Sequence, residues 1–247
     1  MTVMPLHYLR TLTAPERTDS NNLHLGITLC FVAGATNAGG FLAVGQYTSH
    51  MTGILSGLAD NWVLGKPSLI IAAVASLLMF MAGAIASTLL INWARRRGSR
   101  SLYAEPLMLE ALLLLCFGLL GGQLDSHSGS LISLTMLLLC FIMGLQNAII
   151  TKISKAVIRT THLTGLITDI SIELGRLFYW NRNPGASAHI KVLCDRKHLK
   201  VQSSLVMAFF CGAVLGAYGF SHLGFSSTIF LAFILALLAI GPLIKDF

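Results

Sequence analysis

The sequence predicts an all-α polytopic membrane protein with six transmembrane helices, two short re-entrant or broken helices, and an inverted 3+3 internal repeat. Three observations predict this fold class. Long apolar segments carry no charge, the same short motifs occur in both halves of the chain, and the basic residues cluster in a few short loops. The first observation indicates the helices, the second the repeat, and the third its inversion.

The composition excludes an ordinary soluble domain. Hydrophobic residues make up 55% of the 247 residues and charged residues only 11%, whereas a typical soluble domain has about 25% charged residues. Asp, Glu, Lys and Arg are absent from 67–94, 126–151 and 201–244. Because one bilayer crossing needs about 20 mostly apolar residues, the last stretch is long enough for two crossings.

The apolar segments fall into two lengths. Full spans are predicted at 23–45, 68–93, 103–122, 130–150, 203–220 and 225–244, and shorter segments at 51–64 and 163–179. At 1.5 Å per residue the shorter segments reach about 21–26 Å, less than the ~30 Å hydrocarbon core. Asn37 and Asn147 are expected to end the first span of each half, and Gly39–Gly40 predicts a break in the helix after Asn37.

The chain repeats itself. Cys30–Phe31, Gly34 and Asn37–Ala38 recur 110 residues later, as Cys140–Phe141, Gly144 and Asn147–Ala148. Thr-Ser-His-Met-Thr-Gly at 48–53 matches Thr-Thr-His-Leu-Thr-Gly at 160–165, and the segment at 80–87 resembles 209–216. Three motifs in one order indicate a duplication. Residues 1–20 then form a cytoplasmic N-terminal segment, 21–124 the first membrane repeat, and 125–247 the second, with a basic cytoplasmic loop at 181–200.

The basic residues indicate how the halves are oriented. They cluster at 95–100, 152–159 and 182–200, and such clusters are retained on the cytoplasmic side. If the two short segments crossed the bilayer, the last cluster would lie outside. If each segment enters and leaves on one side, each half has three crossings and the second half is inverted. All clusters and both termini are then cytoplasmic. Because retention of the basic loops in the cytoplasm explains the net charge of +7, no nucleic-acid partner is predicted.

The duplicated hexapeptides contain the first candidate site. His50 and His162 begin the two short helices, and ionisable groups inside a membrane are costly and usually functional. The alternative is hydrogen-bonded packing. Four residues of the first helical turns could bind an anion through free N–H groups and the helix dipole, namely Thr52, Gly53, Thr164 and Gly165. Alternatively, the threonines cap the helices and the glycines allow close packing. Asn37 and Asn147 could contact a ligand or clamp the fold.

Acidic residues inside the apolar segments are candidates for proton coupling. Asp169 and Glu173 share one face of the second short helix with His162 and Arg176. They could relay protons, form the exposed face of an interfacial helix, or pair with Arg176. Glu110, within the third span, is another candidate. The glycine-rich pairs at 83/87, 118/122 and 212/216 favour close helix packing within the chain, with a homodimer contact as the alternative.

The segment from Gly34 to Phe41, followed by the hexapeptide at 48–53, resembles the bacterial YoaK-like inner-membrane family. The resemblance extends from about residue 22 to the C-terminus and implies a multi-spanning protein of the bacterial inner membrane. It does not imply a substrate. The six-span inverted plan is also similar to that of formate/nitrite channels and aquaporins, as an analogy of architecture alone. The aquaporin Asn-Pro-Ala signature is absent from the sequence.

These features predict a membrane transporter or channel for a small polar solute, with anions among the candidates. The site is expected near the midplane, where the first turns of the two short helices meet. The alternative is a non-transporting scaffold or sensor that binds a partner through the basic loop. No nucleotide, metal or enzyme motif occurs in the sequence, so no enzymatic activity, cofactor or metal is predicted. The expected partners are the lipid bilayer, the solute and, for the dimer alternative, a second copy.

Overall fold

A computed structural model of the chain describes residues 18–99, 101–123, 129–153, 161–180 and 192–243. The regular structure in these ranges is helical, without a strand. The helices are α1 (Asp19–Val44), α2 (Met51–Val63), α3 (Pro67–Arg96), α4 (Ala104–Gly121), α5 (Gly129–Ile153), α6 (Leu163–Phe178), α7 (Arg196–Leu223) and α8 (Ser227–Leu243). Most of the predicted N-terminal segment, residues 181–191 of the predicted basic loop, and the basic residues at 154–160 lie outside the described ranges.

The helices begin and end close to the predicted boundaries, and local signals explain several of them. The Thr18 side chain accepts from the N–H of Asn21 at 3.3 Å before α1. Pro67 occupies the first turn of α3, where its missing N–H costs no hydrogen bond. The chain reverses between α7 and α8 at Gly224, which has a φ of 60° and begins a short 3-10 turn.

The long helices are those of a multi-pass membrane protein. Five stretches are long and apolar enough to cross a bilayer: Ser20–Val44, Pro67–Arg96, Ala104–Gly121, Gly129–Ile153 and Arg196–Ile240. The last stretch has 45 residues and includes both α7 and α8. As one straight helix it would measure about 68 Å, more than twice the hydrocarbon core. The short helices α2 and α6 have 13 and 16 residues.

Helix α7 packs along α1 in parallel. Gly212 faces the backbone of Phe31, and Gly216, four residues later, faces the backbone of Ala35. Further along both helices, Gly39 faces the ring of Phe220. The contacts advance in the same direction along both helices, and the missing side chains let the two backbones approach closely.

Helices α3 and α5 repeat this arrangement. The side chain of Ser76 lies beside that of Cys140, and Gly144, one turn on, faces the backbone of Phe80. Gly83 faces the backbone of Phe141, as Gly212 faces Phe31 in the other pair. Each half therefore contributes one helix to each of two similar parallel pairs.

Other pairs run antiparallel. The Gln146 amide donates to the carbonyl of Leu29 at 3.2 Å, whereas Gly40, further along α1, lies against Leu139, earlier in α5. Helices α1 and α5 are therefore antiparallel, and because α3 runs parallel to α5, α1 and α3 are antiparallel as well.

The last helix of each half also packs antiparallel to its counterpart. Gly121 at the end of α4 lies against the ring of Phe225 in the 3-10 turn before α8, and Gly118 lies against the hydroxyl of Thr228 in α8. Successive contacts move toward the start of α4 as they move toward the end of α8, so these two helices are antiparallel.

The predicted break at Gly39–Gly40 is wrong. Helix α1 continues through both glycines to Val44 and ends at Gly45, which has a φ of 70°. The two glycines instead leave room for Phe220 and Leu139. Asn37 and Asn147 likewise lie inside α1 and α5 and do not end them. The small residues at 83, 118, 212 and 216 pack against other helices of the same chain.

Candidate functional site

A cavity of about 1070 Å³ lies between the N-termini of α2 and α6. Most of its polar lining, apart from Tyr47 and Thr151, comes from equivalent residues of both halves: Asn37, Ser49, His50, Thr52, Asn147, Thr161, His162 and Thr164. Phe80 and Phe209, which also correspond between the halves, line it from near the middle of α3 and α7. Six residues predicted for the site from sequence alone are thus brought together around one space.

Each asparagine is tied to the start of a short helix. The Ser49 hydroxyl donates to Asn37 Oδ1 at 3.0 Å, and the Thr161 hydroxyl donates to Asn147 Oδ1 at 2.8 Å. Both hydroxyl residues directly precede the histidine that starts the helix. Sequence reasoning missed their role, although the paired Ser and Thr of the duplicated hexapeptide are a signal that a hydroxyl is needed there.

The histidines occupy the N-cap positions of α2 and α6, without a hydrogen bond from the ring to the helix. Each imidazole folds over the glycine three residues later, His50 over Gly53 and His162 over Gly165, so that a Cβ on either glycine would collide with the ring. Gly53 and Gly165 therefore make room for the imidazoles and do not themselves line the cavity. Thr52 and Thr164 line it and are not caps.

The first turns of α2 and α6 present backbone donors at the cavity. The first intrahelical bonds are Ile54 N–H to the His50 carbonyl at 3.0 Å and Leu166 N–H to the His162 carbonyl at 3.2 Å. The Met51 N–H donates to the Ser49 carbonyl at 3.1 Å, whereas the N–H groups of Thr52 and Gly53 have no acceptor within their own helix. Free N–H groups and the helix dipole make the start of a helix suited to an anion, and the starts of both short helices border the cavity.

Asp169 and Glu173 lie away from the cavity and connect α6 to α7. Asp169 accepts from the amide of Gln202 at 3.2 Å. Glu173 is only 4% exposed, and accepts from Arg176 at 2.7 Å and from the backbone N–H of Asp195 at 2.8 Å. The ion pair with Arg176 was one of the three alternatives that the sequence left open.

Asp195 in turn caps the start of α7. Its carboxyl accepts the backbone N–H groups of Lys197 and His198, each at 3.0 Å. The bond from His198, the larger influence, holds the pKa of Asp195 below its ordinary value. The acidic residues of α6 thus anchor a capped helix start.

Glu110 is fully buried in α4, and neither of its carboxyl oxygens has a hydrogen-bond partner among the described residues. It does not line the cavity either. Among the described residues, no three or more His, Cys, Asp or Glu side chains form a group that could hold a metal ion.

Comparison with known proteins places the chain in a family. Residues 25–241 match the family described as protein of unknown function (DUF1275). The chain is also 32% identical to UPF0700 transmembrane protein YoaK of Bacillus subtilis (strain 168) over 157 residues, which cover 61% of this chain and 67% of the relative. No solved structure matches it. The chain therefore belongs to the DUF1275 family and is a YoaK-like transmembrane protein.

Proposed function

We propose that this protein moves a small polar solute across the membrane, as a channel or a transporter, through the cavity between α2 and α6. The observation that carries the proposal is the cavity's composition. Equivalent residues of two similar halves, separated by more than 100 positions, line one space near the middle of the long helices. Duplicated halves that meet at a central site with interrupted helices are typical of solute transporters.

Helix directions support six crossings and an inverted repeat. Since α1 and α3 run antiparallel, α2 joins two helix ends on the same face of the membrane, and it is too short to span the core. The same holds for α6 between α5 and α7. The antiparallel run of the equivalent helices α4 and α8 is expected only if each half has an odd number of crossings.

The basic residues support a cytoplasmic location for one end of the bundle. Arg95–Arg97 at the end of α3, Lys152 at the end of α5, and Arg196–Lys200 at the start of α7 lie at the same end when the helices alternate in direction. The start of α1 lies at this end too, and so does the end of α8. The positive-inside tendency then predicts a bacterial inner-membrane protein with both termini in the cytoplasm.

The lining favours a polar solute. No Asp, Glu, Lys or Arg occurs among the described residues that line the cavity, whereas hydroxyl, amide and imidazole groups do. Its volume of about 1070 Å³ is slightly above the usual range for small-molecule sites, about 300–1,000 Å³. A solute with hydrogen-bonding groups would find partners here without needing a counter-charge.

Flux in proteoliposomes tests the proposal. Wild-type protein is compared with His50→Ala and His162→Ala, with formate, nitrate, chloride, urea, glycerol and methylammonium as solutes. We expect flux of at least one solute, and a decrease of at least about tenfold in each variant, the typical effect of losing a hydrogen bond to a charged group or a buried partner.

His222→Ala is the matched control, because His222 is exposed at the end of α7 and does not line the cavity. Its flux should equal that of the wild type. If no solute enters faster than into empty liposomes, or if both cavity variants behave as His222→Ala does, the cavity is not the route.

A further inference from the structure

The two half-sites differ in the hydrogen bonds of their asparagine side chains. Asn147 donates its side-chain N–H to the Met143 carbonyl of its own helix at 2.7 Å. Asn37, its counterpart, accepts from Ser49 through Oδ1, but its Nδ2 donates to none of the described residues. The Asn37 side chain is only 9% exposed, and it lines the cavity. It thus presents a buried, unused N–H donor to whatever occupies the cavity.

The cavity also extends further on one side than on the other. Beyond the half-sites, Leu42, Val214 and Ala217 line it toward the ends of α1 and α7. Their counterparts in the repeat, Lys152, Ile85 and Thr88, are not among the described lining residues. The stacked rings of Phe41 and Tyr47, with centroids 4.7 Å apart, form part of the same wall. Among the described residues, the lining therefore reaches further toward the end opposite the basic clusters, while Thr151, the counterpart of Phe41, lines the cavity on the other side.

The donors of the first half-site border the same cavity. Asn37 and Thr52 line it, and so does His50 at the start of α2, where the positive end of the helix dipole lies. No carboxylate among the described lining residues competes with an incoming anion, and none would bind a cation.

We propose that the solute is a small monovalent anion that binds first to the half-site of Asn37, His50 and Thr52, entering from the non-cytoplasmic face. This inference rests on the proposed function and specifies its substrate class. One negative charge matches the partial charges of a helix N-terminus and a few neutral donors. A doubly charged anion would lose more hydration than these groups replace, because no Lys or Arg lines the described part of the cavity.

Binding to the purified full-length protein in detergent tests the proposal. Titrations use nitrate and formate, with sulfate, urea and guanidinium as the comparison solutes, all at one ionic strength. We expect at least one monovalent anion to bind at least about tenfold more tightly than every comparison solute. Asn37→Asp keeps the acceptor for Ser49 and replaces the free donor with an oxygen. The affinity for that anion should therefore fall by at least about tenfold.

Asn61→Asp is the matched control. Asn61 donates to the carbonyl of Gly57, four residues earlier, at 2.7 Å, and it lies outside the cavity lining. Its anion affinity should stay within about twofold of the wild type. Thr52→Val, which removes one hydroxyl donor at nearly constant volume, provides a second variant with an expected loss in affinity, should Asn37→Asp fail to fold.

The contrary results separate this inference from the proposed function. If urea or guanidinium binds more tightly than the anions and moves in liposomes, the protein transports but the anion assignment is wrong. If Asn37→Asp binds the anion as tightly as the wild type does, the half-site assignment is wrong even though anions move. If nothing in the panel binds, the anion proposal fails, and absence of flux would then remove the transport proposal with it.

Discussion

At the scale of single residues, the site depends on contacts between neighbours in the duplicated hexapeptide. The sequence predicts which residues matter, because a polar motif retained in both copies of a membrane repeat stands out from apolar surroundings. It does not predict that the glycine accommodates the imidazole, since that depends on how the ring folds over the first helical turn. Nor does it predict the bonds from Ser49 and Thr161 to the asparagines, which join residues 12 and 14 positions apart.

Replacing Gly53 with alanine tests this residue-scale account. The new Cβ would collide with the His50 ring and push it from its place at the cavity, so solute flux should fall by about tenfold or more. The helix itself should not be destabilised, because alanine is a better helix former than glycine by about 1 kcal/mol.

Gly57→Ala is the control, because a Cβ at this position of the same helix meets nothing within 4 Å. Flux and thermal unfolding of both variants are measured in parallel. Normal flux in Gly53→Ala would show that the ring's placement over Gly53 is unimportant.

At the scale of helices, the sequence predicts where each helix begins and ends, but it does not predict which helices pack together. Apolar length determines where a helix can cross, so the predicted and observed boundaries agree within a few residues except at the start of α7. The error at Gly39–Gly40 arose because glycine can either interrupt a helix or allow another helix to approach. The choice depends on Phe220, far away in the sequence, whose ring lies against Gly39.

The close contacts between helices predict that alanine in place of a contact glycine lowers the stability of the protein. A Cβ at Gly34 would collide with the backbone of Phe209, and one at Gly144 with the backbone of Phe80. Because backbone cannot move aside as a flexible side chain can, Gly34→Ala and Gly144→Ala should each lower the free energy of unfolding by about 1–3 kcal/mol.

Thermal unfolding in detergent measures this loss, with Gly175→Ala on α6 as the control. A Cβ at Gly175 meets nothing within 4 Å, so this variant should be as stable as the wild type or slightly more stable. Equal stability of all three variants would mean that α1–α7 and α3–α5 do not pack as closely as described.

At the scale of the whole molecule, the two halves interlock. The first helix of each half packs in parallel with the third helical segment of the other half, α1 with α7 and α5 with α3. The cavity forms where these two pairs meet the starts of α2 and α6. Similar motifs predict that the halves are related, whereas the described lining differs between the copies at some positions, since Leu42 lines the cavity and its counterpart Lys152 does not.

Labelling of single cysteines in intact cells tests the inverted arrangement most directly. In a variant with the five native cysteines replaced, Asp60→Cys lies at the end of α2 and Leu193→Cys just before α7, both at exposed positions. If α2 and α6 each return to the face they left, a membrane-impermeant maleimide labels Asp60→Cys from outside and Leu193→Cys only after the membrane is opened. Labelling of both cysteines from the same face would mean that the short helices cross, and would contradict the account.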